Sequence, residues 1–86
     1  MRTETVEIYS DASNAAVMRH PGRKFPGMLI QGDSLNALSR AARAALADAE
    51  PDSEQYYELL MLAENLEGRV NFYAKVLTEH GIELPF

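Results

Sequence analysis

The sequence predicts an α+β domain of two layers, with three short antiparallel strands packed on a helical hairpin whose long second helix lies over the sheet and extends past it. Three observations predict it. Short β-branched or apolar runs, separated by Pro-Gly and Ser/Asp/Asn turn chemistry, fill residues 1–32. From Gly32 onward the apolar spacing changes to three and four, the helical period. A break at Glu50-Pro51-Asp52-Ser53 then divides the helical half in two. One domain over residues 1–86 is expected, with helices over 33–49 and 52–80 and a tail over 81–86.

Each element follows from its residues. Thr3 to Tyr9 reads as a strand, because Val6 and Ile8 alternate with Glu7 and Tyr9. Ala15 to His20 is ambiguous. Its alanines favour helix, but six residues are short for one and Pro21-Gly22 ends it, so a strand is expected. Met28 to Gln31 gives the third strand, reached through a loop with two Pro-Gly pairs, Pro21-Gly22 and Pro26-Gly27. Either Asp33 or Ser34 is positioned to cap the first helix. Its apolar face is read as Leu35, Leu38, Ala42, Ala45, Leu46 and Ala49, opposite Asn36, Ser39, Arg40 and Arg43. Asp52 and Gln55 match a capping box for the second helix. That helix carries a heptad seam of Tyr56, Leu59, Ala63, Leu66, Val70, Tyr73 and Leu77. Its length of roughly 40 Å at 1.5 Å per residue is nearly twice that of the first. The shorter helix and a small sheet leave part of it uncovered, so Tyr56, Leu62, Gly68, Phe72 and Val76 are candidate oligomer contacts in a homodimer through residues 52–80.

Composition narrows the function. The 86 residues are 47% apolar and 24% charged, ordinary globular usage. With no cysteine there is no disulfide scaffold, Cys-ligated zinc site or thiol nucleophile. The start MRTETVEIY lacks the apolar core of a signal peptide, and no apolar run approaches the ~20 residues of a membrane span. A soluble cytoplasmic protein is expected, with no membrane partner. Residues 1–43 hold six Lys/Arg against four acids, and residues 44–86 hold two against nine. So acidic a second half repels phosphate backbones and disfavours nucleic acid, while it suits a basic protein partner.

Few strings carry chemistry. Pro21-Gly22-Arg23-Lys24-Phe25-Pro26-Gly27 places two cations and an aromatic at a proline-stiffened tip, which makes Arg23, Lys24 and Phe25 candidate partner contacts. Glu54, Glu58, Glu64 and Glu67 are the acidic counterparts on the second helix. Gly32-Asp33-Ser34-Leu35 resembles the block that carries the nucleophilic serine in GDSL-type esterases. Those enzymes need a downstream Asp-x-x-His, and here His20 and His80 have Val17 and Leu77 three residues before them. No oxyanion-hole block is recognisable, and 86 residues are too few for that fold. The string reads instead as a glycine turn with a helix cap. The spacing of His, Asp and Glu suggests no metal site and no cofactor.

As a unit, Glu7-Ile8-Tyr9-Ser10-Asp11, Asn14-Ala15-Ala16-Val17, Pro21 to Gly27 and Ile30-Gln31-Gly32-Asp33-Ser34-Leu35 resemble a family of small bacterial proteins of unknown function. Such proteins close on a Gly-Ile-x-Leu-Pro-aromatic tail like Gly81 to Phe86. The resemblance implies no activity and carries over no catalytic residue. In size and acidity these proteins resemble the immunity proteins made beside bacterial toxins.

The expected function is a non-catalytic protein-binding module, in its most concrete form an immunity-type inhibitor that covers a basic toxin domain with acidic helix surface. Two alternatives are a small-ligand or enzymatic site around Arg23 to Ser34 and a purely homo-oligomeric scaffold.

Overall fold

The computed structural model describes residues 1–86. Three antiparallel strands precede two helices, as the α+β reading expects. The strands are β1 (Glu7–Ser10), β2 (Ala16–Arg19) and β3 (Gly27–Leu29), and the helices α1 (Gly32–Ala47) and α2 (Glu54–Glu79). The chain divides into two compact units, Met1–Gln31 and Gly32–Phe86.

In the first unit the sheet order is β1-β2-β3. Ala16 to Arg19 is strand, so β-pairing on both sides overrides the helix propensity of its alanine. Glu7 faces Arg19 and Ile8 faces Met18, and then the register slips so that Ser10 faces Val17. Tyr9 is the extra residue of this bulge. β1 starts later than the alternation from Thr3 suggests, because Glu7 pairs with Arg19 and β2 ends there, before the Pro21-Gly22 turn. β3 is likewise shorter than expected, and starts at Gly27 with Met18 opposite. Pleating puts Ile8, Ala16, Met18 and Leu29 on one face and Glu7, Val17, Arg19 and Met28 on the other. No residue in 1–31 is buried.

In the second unit α1 and α2 form an antiparallel hairpin. Gly32 at the start of α1 lies against Tyr73 late in α2, while Ala42 and Leu46 cluster with Ala63. Tyr56, Leu59, Leu60 and Leu66 pack around that cluster. Every position of the α2 heptad seam is buried or half-buried, as expected. The α1 stripe differs from the expectation. Leu38 and Ala45 are exposed, whereas Ser39 is buried. The buried line is Gly32, Leu35, Ser39, Ala42, Leu46 and Ala49, alternating by three and four, and a small polar serine is accepted because α2 approaches closely there.

The helix starts also differ. Asp52 is not the cap of α2. It adopts a left-handed conformation, φ 63°, and its carboxylate accepts a hydrogen bond from the Tyr57 hydroxyl at 2.9 Å. Ser53 has the extended backbone of an N-cap, and its Oγ accepts from the Tyr56 N–H at 3.0 Å while donating to the Glu50 carbonyl at 2.7 Å. Ser53→Ala is therefore expected to cost about 1 kcal/mol, measurable as a lowered urea midpoint with unchanged slope. At α1 the helix already begins at Gly32, so Asp33 and Ser34 both lie inside its first turn. Asp33 there favours the positive helix end.

Candidate functional site

The β2–β3 loop is built by two turns. Pro21 and Gly22 occupy the middle of a tight turn closed by the Arg23 N–H on the His20 carbonyl at 3.1 Å. Proline presets the first middle position, and Gly22 at φ 80° supplies the left-handed one. His20 Nδ1 lies 2.8 Å from the Pro21 carbonyl, so this nitrogen carries the donated proton. The tip beyond is open. Phe25 is 74% exposed, with the Lys24 ammonium 5.4 Å from its ring centroid. Neither Arg23 nor Lys24 has a carboxylate within ion-pair distance.

Two open clefts flank the loop. One, of about 240 Å³, has an apolar floor of Met18, Phe25, Met28 and Leu29 with His20 and Arg23 among its lining residues. The other, of about 340 Å³, is polar and takes in Glu7, Arg19, His20 and Arg23. The Arg19 charge is already committed. Its Nε donates to Glu7 at 3.1 Å, and its Nη2 reaches the same oxygen. Tyr9 donates to the other Glu7 oxygen at 2.9 Å. The hydrogen bond from Arg19, followed by that from Tyr9, holds the Glu7 carboxyl below the usual carboxylate range. Donating that bond to the carboxylate pushes the Tyr9 phenol up. Cross-strand pairing thus removes one cation from the surface and leaves Arg23 and Lys24 free.

The acidic candidates separate. Glu67 is bound by Arg43, with Nε to Oε2 at 2.8 Å, and this hydrogen bond lowers its pKa. Its charge faces its own hairpin, so Glu67 leaves the set of free partner contacts. Glu54, Glu58 and Glu64 are exposed and have no ion-pair partner. At the loop end of the hairpin, where residues 48–53 join the helices, a cleft of about 440 Å³ is lined by Ala45, Asp48, Ala49, Gln55, Glu58, Leu59 and Leu62.

The oligomer candidates separate too. Tyr56 packs on the hairpin core, in T-shaped contact with Tyr57, and Val76 is half-buried. Leu62, Gly68 and Phe72 face outward. Tyr57, an aromatic that the sequence marks for packing or an interface, and Met61 join them there, and reading outward from a single seam missed Met61. A second stripe at spacings of four, seven and four (Tyr57, Met61, Gly68, Phe72) was the signal that would have found it.

At Gly32-Asp33-Ser34-Leu35 the structure brings no proton acceptor to the serine. The string's side-chain hydrogen bond runs from the Ser34 N–H to the Asp33 carboxylate at 2.8 Å. His80 donates through Nδ1 to the Val76 carbonyl at 2.9 Å, at the C-terminal end of α2. Gly32 has a packing role. A Cβ there would fall 2.2 Å from the Tyr73 ring, which also stacks on Phe86 at 6.4 Å between centroids. No three His, Asp or Glu residues converge on one point. No helix is long and apolar enough to cross a membrane.

The chain belongs to a family of unknown function, DUF6959, whose model matches residues 1–86. Neither the curated proteins nor the solved structures include a match to it.

Proposed function

We propose that this member of a family without an assigned activity is a non-catalytic protein-binding module that docks through its strand-bearing unit. One observation carries the reading. Residues 1–31 contain a formed three-stranded sheet and no buried residue, while Ile8, Phe25, Met28, Leu29 and Ile30 are all exposed. Ile8 and Leu29 share one sheet face, Leu29 lines the same cleft as the loop's Phe25, and exposed apolar side chains placed so mark an interaction surface. The free cations of Arg23 and Lys24 add a polar rim to it. A small-ligand site is less well supported, since the clefts of about 240 and 340 Å³ beside the loop are both open to solvent and lie below or at the lower end of the usual range of ligand pockets.

The more specific form of the proposal is an immunity-type inhibitor acting in the cytoplasm on a basic toxin domain. Its support is charge. Residues 32–86 hold four Lys/Arg against ten Asp/Glu, a net of −6, and Asp48, Glu50 and Glu54 at the hairpin's loop end have no cationic partner. Such a surface speeds association with a basic partner.

Co-expression of the tagged chain with the products of its neighbouring genes tests this. A stoichiometric complex is expected, and the double substitution Phe25→Asp, Leu29→Asp should abolish it while the circular dichroism of the helices is kept. A complex indifferent to that variant removes the sheet surface from the interface. A chain that elutes alone with every neighbour removes the inhibitor reading.

A further inference from the structure

The two edges of the sheet differ. β1 is broken by the bulge at Tyr9 and carries the charged Glu7, and both features discourage a further strand. β3 has neither. It is the last strand in the order β1-β2-β3, and no strand pairs with its outer edge. Gly27, Met28 and Leu29 pair with β2 in unbroken register, and all three are exposed. A regular, unpaired edge offers backbone N–H and C=O groups to an extended chain laid beside it.

Gly27 indicates what that chain brings. Its φ is not positive, so the backbone does not require glycine. A Cβ there would meet nothing within 4 Å, so packing within the chain does not require it either. Glycine inside a strand weakens it and marks a place where a ligand or another backbone comes close. Gly27 lies opposite Met18, and the cleft of about 240 Å³ is lined by both of them together with Phe25 and Leu29. An apolar side chain from a strand added beside β3 fills the space that Gly27 leaves open.

Charge completes the description. No acid lines this cleft, Arg23 lines it without an ion-pair partner, and Lys24 beside Phe25 is unpaired as well. The polar cleft also takes in Arg23, and there the Glu7 carboxylate is already held by Arg19 and Tyr9. The free charge at this end of β3 is therefore positive, and its complement is a carboxylate. Residues two apart in an extended chain share a face, so the occupant carries its acid two positions from its apolar residue. A second copy of β3 does not qualify, because Gly27 to Gln31 contains no acid.

We propose that β3 receives an extended segment of a partner protein as a fourth strand, with an apolar side chain over Gly27 and an Asp or Glu two residues away paired with Arg23. The proposal rests on the reading of the strand-bearing unit as the docking surface, and not on its inhibitor form.

The probe is an end-blocked peptide of threonines with one leucine and, two positions on, one glutamate; threonine favours the extended form. The isotope-labelled chain is titrated with it to about 5 mM, weak enough to catch a millimolar contact, and the amide NMR shifts are followed. Saturable shifts are expected at Arg23 and at Gly27 to Leu29. Arg23→Glu should raise the dissociation constant at least about tenfold, and lysine in place of the peptide's glutamate should restore binding to that variant. Gly27→Val should abolish binding while the sheet is kept, because valine suits a strand better than glycine does. The amide spectrum of the free variant checks that the sheet remains. In the co-expressed complex, Gly27→Val should break the assembly as Phe25→Asp with Leu29→Asp does. A complex lost with the two aspartates and kept with Gly27→Val would overturn the added strand and leave the docking surface standing. No shift at about 5 mM, shifts confined to β1 or the helices, or binding indifferent to Gly27→Val would each overturn the proposal. So would β3 shifts that follow the concentration of the chain alone, which would give the edge to a second copy.

Discussion

Leu46→Ala is expected to cost roughly 2–5 kcal/mol of folding stability, the range for truncating a buried leucine. Leu46 is 6% exposed and is the largest buried side chain of the core cluster, whose other members are Ala42 and Ala63. Alanines contribute little transfer energy of their own, so Leu46, the one leucine among the buried members of the cluster, supplies a disproportionate share. Its half-buried neighbours, Tyr56, Leu59, Leu60 and Leu66, have room to move inward and partly close the cavity, which places the cost toward the lower end. Against a stability of about 4–13 kcal/mol for a chain of this length, even that is a large fraction. A urea titration followed by circular dichroism measures it as a lowered midpoint with the slope kept. A loss under about 0.5 kcal/mol, typical of a surface substitution, would mean that the hairpin is held elsewhere.

How much of this was legible in the sequence depends on which force decides each element. The α2 seam was fully legible, because Tyr56 to Leu77 repeats over three heptads and no single residue has to be read correctly. The α1 stripe was legible only in part. Leucine was taken to point inward and serine outward, yet Leu38 is exposed and Ser39 is buried. Proximity of the helices, which favours the smaller side chain, outweighs hydropathy there. The cap of α2 turned on one φ angle. Asp52 and Ser53 are equally good caps by residue type, and the left-handed backbone at Asp52 hands the role to Ser53. Ala16 to Arg19 is strand through pairing with β1 and β3, a non-local term that six residues do not contain.

The candidate surfaces were less legible than the fold. The tip at Arg23, Lys24 and Phe25 was found because prolines and glycines fix such loops locally. The removal of Glu67 was not, since its partner Arg43 lies 24 positions earlier and meets it only once the hairpin closes. Arg19 is a similar case, bound across the strands by Glu7. A count of charges treats every ion as free. Pairing in the fold decides which of them a partner can meet, and among the candidate contacts it leaves Arg23, Lys24, Glu54, Glu58 and Glu64.

Ala63→Leu is expected to destabilise the hairpin by about 1–3 kcal/mol through overpacking, although leucine and alanine differ little in helix propensity. Ala63 is 0% exposed, the most completely buried residue of the chain. It belongs to one cluster with Ala42 and Leu46, and Leu59 and Leu66 occupy the neighbouring turns of its own helix. Three further carbons at that point have no void to enter. They must push α1 outward or force Leu46 from its rotamer, and either route weakens the same cluster that Leu46→Ala empties. The two substitutions are in contact and so should not add. In Leu46→Ala with Ala63→Leu, the new leucine can fill the space the old one leaves. The double variant is expected to be more stable than the two separate losses predict, by at least about 0.5 kcal/mol. Urea midpoints for the four members of this cycle decide it. A strictly additive double variant would show that Ala63 and Leu46 do not share one packing space, and that the close approach of α1 and α2 is set at Gly32 and Tyr73 instead.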